Sequence, residues 1–246
     1  MTSVNVQPPM RKIKDGQSAQ LSVHSVFYTI QGEGPFTGTP CVFVRLFGCN
    51  LQCPGCDTDY TSVHNKMTAE EVVYAVGSRF DTERCNRRED TPPNNLVVIS
   101  GGEPLRQDIS KLCDQLLELG YYVQIETNGC YYREHLPYDH ARFTVVCSPK
   151  TGKVHPKLIP HVAAWKYVMH HQAVATFDGL PVRALDHAPV LGRPHKEQQG
   201  DSTIYLQPME TLDRDTDRKN LDACVASCMR YGYTLCLQTH KLIGVE

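Results

Sequence analysis

Short apolar runs of strand character alternate with amphipathic helical stretches along most of the chain, and this alternation limits the fold more than any other feature. "NLVVIS" (95–100) passes through "GGEP" into a stretch whose Ile109, Leu112, Cys113, Leu116 and Leu117 share one helical face, with Gly120 where a helix C-terminal glycine belongs. "TAEEVVYAVGSRF" (68–80) opens on Thr68 and Glu71 at capping-box spacing and sets Val72, Val73, Val76 and Phe80 at helical intervals. "CVFVRLFG" (41–48), "YYVQIETNG" (121–129), "RFTVVCSPK" (142–150), "AWKYVMH" (164–170) and "TIYLQPM" (203–209) read as further strands. A last helix is expected at about 217–231, striped by Leu221, Cys224, Val225, Cys228 and Met229, with "YTLCLQTHKLI" (233–243) as a closing strand. Strands alternating with helices imply parallel βαβ units whose functional polar residues gather after the strand ends. The helices are too few for a closed eightfold barrel, so the expected α/β fold is an incomplete one.

A chain of 246 residues buries a full core, and a single domain over 21–246 is expected behind a flexible polar arm, 1–20. Two stretches break the pattern, a polar insertion at 81–95 and an interrupted connection at 171–202. A net charge of -2 argues against an electrostatic nucleic-acid binder. No apolar run reaches the roughly 18–20 residues that span a bilayer, and the start lacks an apolar signal core, so a cytoplasmic setting without membrane contact is expected. Eleven cysteines, an odd number in a long chain, read as reduced thiols rather than as a disulfide framework.

Three of these cysteines carry chemistry. Cys49, Cys53 and Cys56 in "GCNLQCPGCDTDYTS" (48–62) form a C-x3-C-x2-C loop directly after a strand. Zinc ribbons use two CxxC pairs, and no second pair lies nearby. Thiols this close wrap one corner of an iron–sulfur cube, which ordinarily takes four thiolates. Three leave one iron with an exchangeable position for a small chelating molecule. A zinc site completed by a distant residue such as His64, or a chance cluster of buried cysteines, stays open on the spacing alone. Cys224 and Cys228 sit on the apolar stripe of the last helix and read as core packing.

The C-x3-C-x2-C loop resembles the cluster motif of the radical S-adenosylmethionine (SAM) superfamily, and "SGGEP" (100–104) resembles its glycine-rich SAM-binding segment. Consecutive glycines let backbone approach a ligand without side-chain obstruction. Together with the terminal "LQTHKLIGVE", "FYTIQGEGPFTGTPCVFVRLFGCNLQC" is similar to the 7-carboxy-7-deazaguanine synthase family, from about residue 20 onward. The resemblance implies a modified, incomplete (β/α) barrel of the radical SAM type, commonly a homodimer. It implies a lyase of queuosine and 7-deazapurine biosynthesis that contracts the ring of 6-carboxy-5,6,7,8-tetrahydropterin and releases ammonia. A [4Fe-4S] cluster, SAM and Mg2+ are the implied cofactors, with a flavodoxin-like or other low-potential electron donor.

Residue by residue, the resemblance implies that Cys49, Cys53 and Cys56 hold the cluster and Thr58 the magnesium. Gly55, Cys56 and Asp57 would lie along SAM, and the family often has an aromatic where Gly55 stands. Gly102, Ser148, Pro149, Lys150 and Gln207 match further SAM contacts. Ile30, Gln31, Gly32, Glu33, Arg45, Ser100, His240 and the terminal Glu246 match the substrate side, where other members have proline or alanine in place of Glu246. A carboxylate such as Glu33 suits the amide and amine edge of a pterin, and the Arg45 fork suits a carboxylate. A glycyl-radical enzyme activase shares the cysteine loop, and a non-catalytic metal-bearing module is a reading from another class. Replacing any one of Cys49, Cys53 or Cys56 with Ala is expected to abolish SAM cleavage, while Cys224→Ala and Cys228→Ala keep the parental iron content. Loss of iron in either of the latter two, measured after anaerobic reconstitution, would show that the last helix carries a ligand.

Overall fold

The structure, a computed structural model, describes residues 8–16, 18–84, 95–185, 192–193 and 202–245. Its centre is a nine-stranded sheet in the order β3-β1-β2-β4-β5-β6-β7-β8-β9. β1 (Leu21–Ile30) pairs antiparallel with β2 (Pro40–Leu46) and with the short edge strand β3 (Asn65–Met67). From β2 onward every pairing is parallel, through β4 (Leu96–Gly101), β5 (Tyr122–Thr127), β6 (Phe143–Cys147), β7 (Ala164–Met169), β8 (Thr203–Pro208) and β9 (Thr234–Leu235). The sheet is open, with β3 and β9 at its two edges, as an incomplete barrel requires. Helices α1 (Ala69–Arg84), α2 (Ser110–Glu118) and α3 (Arg214–Tyr231) make three of the crossovers, and a short α4 (Thr239–Ile243) ends the described chain.

Alternation along the strands divides the sheet into two chemically different faces. On one, Val42, Val44, Val97, Ile99, Val123, Ile125, Trp165 and Tyr167 are fully or almost fully buried against Val72, Val76 and Phe80 of α1 and Leu112, Cys113 and Leu116 of α2. Side chains of this kind contribute about 1.5–3 kcal/mol each when fully buried, so this face holds the fold together. The other face carries polar groups, with Arg45 registered against Ser100, Val98 against Gln124 and Val168 against Gln207. Its polar atoms must find partners or a ligand.

The helices begin and end for local reasons. The backbone N–H of Thr68 donates to Glu71 Oε2 (2.7 Å) and that of Glu71 to Thr68 Oγ1 (3.2 Å), the reciprocal capping box expected before α1. Asp213 caps α3 by accepting from the Thr216 N–H at 2.8 Å, so this helix starts a few residues earlier than expected. Its expected stripe is also rotated. Met229 is 83% exposed, whereas Asn220, Cys224 and Ser227 face inward. Asn220 explains the rotation, because it donates to the Met209 carbonyl (2.7 Å) and accepts from the His171 N–H (2.8 Å), bonds that only an inward position allows.

Three other expectations change. The closing strand shrinks to Thr234–Leu235, after which the chain turns across the sheet and ends in α4. The long β1 is not among the expected strands, since its Ser, His and Thr residues dilute the alternation. The described part of the expected arm is bonded to the body, Met10 N–H to the Cys49 carbonyl (2.7 Å) and Ile13 N–H to the Arg106 carbonyl (2.8 Å). Of the insertions, residues 81–84 complete α1, and 174 bridges 181 within the second; most of the remainder, Cys85 included, lies outside the described residues.

The double glycine after β4 is required by a neighbouring backbone. A β-carbon on Gly101, whose φ is +124°, would stand 2.4 Å from Leu46 N, and one on Gly102 would stand 2.1 Å from the Gly48 carbonyl oxygen. Gly102 N–H donates to Leu46 O (3.2 Å) and Glu103 N–H to Gly48 O (3.1 Å) across this contact. Gly101→Ala is therefore expected to destabilise the cluster-free protein by about 1–3 kcal/mol, the range for overpacking. The check is a lowered urea midpoint at unchanged slope; a parental midpoint would mean that the two backbones do not meet.

Candidate active site

β2 delivers the chain directly into the cysteine loop. Gly48 N–H donates to the Tyr60 carbonyl (3.2 Å), closing the loop at its base. Within it, Cys56 N–H donates to the Cys53 carbonyl (3.2 Å), and Asp59 Oδ1 accepts from the Thr61 (2.9 Å) and Ser62 (3.0 Å) N–H groups. Cys49, Cys53 and Cys56 all line one cavity of about 540 Å³ on the polar face of the sheet. Burial pushes the Cys49 thiol up to about 12 and that of Cys53 to about 11. Both are neutral thiols at pH 7, and ligating a metal releases their protons.

Among the described residues no three His, Cys, Asp or Glu side chains form a ready set of metal ligands. The donor chemistry nevertheless fits a cluster carrying SAM: three thiols open onto a roomy cavity whose wall also presents the buried Gln207 Oε1, an acceptor with no hydrogen-bond partner. His64, which a zinc reading would need, stacks on Phe47 at 4.1 Å and takes no part in the cavity wall.

The expected SAM-side residues come together with one exception. Gly55, Asp57, Gly102, Ser148, Lys150 and Gln207 share the cavity with the thiols, whereas Pro149 does not reach the wall. Gly55 donates to the Leu185 carbonyl (3.4 Å), and a β-carbon there would lie 2.8 Å from Met209 Cε. Lys150 Nζ donates to the Ser148 carbonyl at 2.8 Å. Glu103 of the glycine turn is fully buried and accepts from Leu105 N–H (2.9 Å), Thr127 Oγ1 (2.7 Å) and Asn128 N–H (2.8 Å). Asn128 Nδ2 reaches on to Asn50 Oδ1 at 2.8 Å, so the end of β5 supports both the glycine turn and the cysteine loop. Thr58 also faces the cavity, beside Asp57, its Oγ1 donating to Asp57 Oδ1 at 3.3 Å.

The expected substrate-side residues Ile30, Gln31, Gly32, Glu33, Arg45, Ser100 and His240 line the same cavity, while Glu246 lies outside the described residues. The Arg45 guanidinium sits over the Phe27 ring at 4.9 Å, and Phe27 stacks on Phe43 at 5.5 Å. The C-terminal segment is seated on the loop after β1. Gly34 N–H donates to Cys236 Sγ (3.2 Å), Thr239 N–H to the Gly32 carbonyl (3.1 Å) and Gln238 Nε2 to Glu33 Oε1 (2.8 Å). Gly32 makes room for His240, whose Nδ1 would stand 1.8 Å from a β-carbon there. Lys241 Nζ bridges Asp57 (2.7 Å) and Glu210 (2.6 Å), tying the tail to the cysteine loop. Burial raises the Asp57 carboxyl, but Lys241 and Gln238 outweigh it and hold it down at about 2.

Several wall residues escape a reading of the sequence. Glu126, Lys166, Gln238 and Lys241 all face the cavity. Lys166 has a signal, a lone charge inside the apolar strand "AWKYVM". Glu126 stands near the C-terminal end of β5, where functional groups of such sheets gather. Leu185 offers none, coming from the connection that matches no pattern.

Comparison with known proteins gives this cavity its context. No protein-family model matches the chain. A 7-carboxy-7-deazaguanine synthase of Rhodospirillum rubrum is 38% identical over 244 residues, covering 96% of this chain and 97% of that one. Its counterpart in Rickettsia prowazekii is 35% identical over 97% of this chain and 94% of its own, and that of Escherichia coli 30% identical over 92% and 99%. The crystal structure of QueE from Escherichia coli superposes with a TM-score of 0.61 at 23% identity, covering 89% of this chain and 93% of that one, and so shares the fold. The chain therefore belongs to the 7-carboxy-7-deazaguanine synthase family, radical SAM enzymes of queuosine biosynthesis that work with a [4Fe-4S] cluster, SAM and Mg2+.

Proposed function

We propose that the cavity carries out the family's conversion of 6-carboxytetrahydropterin to 7-carboxy-7-deazaguanine with the roles divided between its two ends. The observation that supports this most is the meeting of the cysteine loop, the glycine turn and the C-terminal helix on one cavity. Cys49, Cys53 and Cys56 hold the cluster, and Gly55, Asp57, Gly102, Ser148, Lys150 and Gln207 line the SAM end, with Pro149 acting through the turn that it shapes. Thr58 offers its hydroxyl to magnesium, which keeps waters and takes further oxygens from substrate. When bound, cluster and SAM supply the one-electron chemistry; placement and exclusion of water are the protein's part.

At the substrate end, Ile30, Gln31, Gly32 and Glu33 take the pterin edge, Ser100 and His240 close on it, and Glu246 is a further substrate contact. Arg45 grips the substrate carboxylate, and its place over Phe27 supports a fixed guanidinium plane. The enzyme works as a homodimer of single-domain subunits, takes electrons from a flavodoxin-like or similar low-potential donor, and operates in the cytoplasm. The ten described cysteines are joined by no disulfide, which suits that reducing setting. No described helix is long and apolar enough to cross a membrane.

The direct test is an anaerobic assay with reductant, SAM, magnesium and 6-carboxytetrahydropterin, reading the deazaguanine product by mass spectrometry; no product with a loaded cluster would overturn the assignment. Thr58→Ala is expected to shift the magnesium titration to higher concentration at parental iron content, and an overlaying titration would remove its role. Arg45→Lys keeps a charge but loses the two-bond fork, and about an ångström of looseness costs on the order of a hundredfold in rate. This variant is expected to bind SAM normally and to release more 5′-deoxyadenosine per product than the parent. Parental coupling in both Arg45→Lys and Arg45→Ala would make Arg45 a structural charge.

A further inference from the structure

Lys166 projects from β7 onto the sheet's polar face. Its neighbours Trp165 and Tyr167 point into the core, while Lys166 itself, 7% exposed, faces the cavity. Two carboxylates share its ammonium. Glu33, from the loop after β1, is in direct contact, and Glu126 Oε2, from β5, stands at 3.7 Å. Amide groups orient both acids from behind. Glu126 Oε1 accepts from Gln31 Nε2 (2.9 Å) and Gln124 Nε2 (2.9 Å), and Glu33 Oε1 accepts from Gln238 Nε2 (2.8 Å). The arrangement is a two-to-one set of buried charges with a net charge of -1, open to the ligand space.

Like charges brought together out of water disfavour each other, and the ammonium that the two carboxylates share offsets this. Of the other cations that line the cavity, Lys241 is held by Asp57 and Glu210, and Arg45 lies over the Phe27 ring. Asp57 from the cysteine loop bears on Glu33 and adds negative charge, and Cys236 after β9 is a neutral thiol, pushed by burial up to about 11. His240 from α4 is driven by burial towards its neutral form. Lys150 after β6 is near enough to Lys166 to be disfavoured by it, but its Nζ is turned to the Ser148 carbonyl. Burial works against the charges on Glu33 and Lys166, yet Lys166 lowers the Glu33 carboxyl, and Glu126 together with Glu33 raises the Lys166 ammonium, from their ordinary values.

We propose that Lys166 is a positioning residue for substrate recognition: it holds Glu33 in its acceptor-only form beside Glu126, so that the cavity meets the N–H donor edge of the pterin with carboxylate oxygens from both. The inference rests on the reading of this cavity as the pterin site. A 2-amino-4-oxo ring edge presents adjacent donors and needs acceptors that carry no proton of their own. With the lysine gone, Glu33 loses the attraction that lowers its carboxyl, takes up a proton more readily and becomes a donor facing donors. The defect deepens as pH falls and is relieved as pH rises, since only deprotonation restores the second acceptor.

The test measures pterin affinity by anaerobic equilibrium dialysis, and KM alongside it, across the neutral pH range, with iron content and SAM affinity as controls. The parent is expected to show little slope. Lys166→Met is expected to lose affinity by up to about tenfold per pH unit on acidification, the slope of one coupled proton. Lys166→Arg keeps the charge and should show no slope. Lys166→Met combined with Glu126→Gln restores the net charge of the set and should also be flat; these two variants keep the idea testable if Lys166→Met alone does not load iron. A flat Lys166→Met profile, a loss equal at every pH, or a slope persisting in Lys166→Arg or the double variant would overturn the proposal. A parent that fails to bind the pterin at any pH would instead overturn the pterin reading beneath it.

Discussion

Where β4 ends, the backbone of Gly101 and Gly102 lies against that of Leu46 to Cys49 with no room for a β-carbon between them. This contact joins the turn that begins at Gly101 to the loop that begins at Cys49, and the buried Glu103 extends it to the end of β5 through three accepted hydrogen bonds. Three consecutive neighbours in the sheet, β2, β4 and β5, thus present their C-terminal ends as one unit. A loop of this length with no helix or strand of its own would otherwise sample many arrangements of its thiols. Its geometry is borrowed from the sheet beneath it, which is held by the large core cluster on its helix side.

The two faces of the sheet divide stability from chemistry. The helix side follows the rules of a close-packed interior. The cavity side places Glu33, Glu126, Lys150 and Lys166 in a largely buried wall, where charges interact more strongly than at a surface and unpaired ones are costly. The described pairs meet that demand across long separations in the chain, β7 with the loop after β1, and the C-terminal segment with both that loop and the cysteine loop.

The parts of the site written as local motifs are legible in the sequence itself. The C-x3-C-x2-C loop stands out by its spacing, though that spacing alone leaves the metal open, and Thr68 with Glu71 caps α1 as the pattern says. The double glycine is legible in place but only partly in cause: its positions answer first to the backbone of Leu46 and Gly48, while Gly102 also lines the cavity. The role of Lys166 is not readable locally, since a charge within a strand acquires meaning only when β5 and the loop after β1 are set beside it. Residues 236–243 resist a local reading for a related reason. Their strand-like composition is overridden by hydrogen bonds to Gly32, Glu33 and Gly34, which lie far away in the sequence. The rotation of α3 is hidden likewise, because apolar spacing takes no account of an asparagine with two buried partners.

The bond from Gln238 to Glu33 spans 205 positions, and from β4 to β9 the order of strands in the sheet is their order in the chain. During synthesis each of these strands can add to the growing edge as it leaves the ribosome, N-terminal parts first. The cavity follows a different schedule. Its cysteine loop is available early, whereas the wall that covers the substrate end arrives with the final helix. Between those moments the cysteine loop stands at a sheet edge that the tail does not yet cover, and the cavity is complete only once residues 236–241 are seated on Gly32, Glu33 and Asp57.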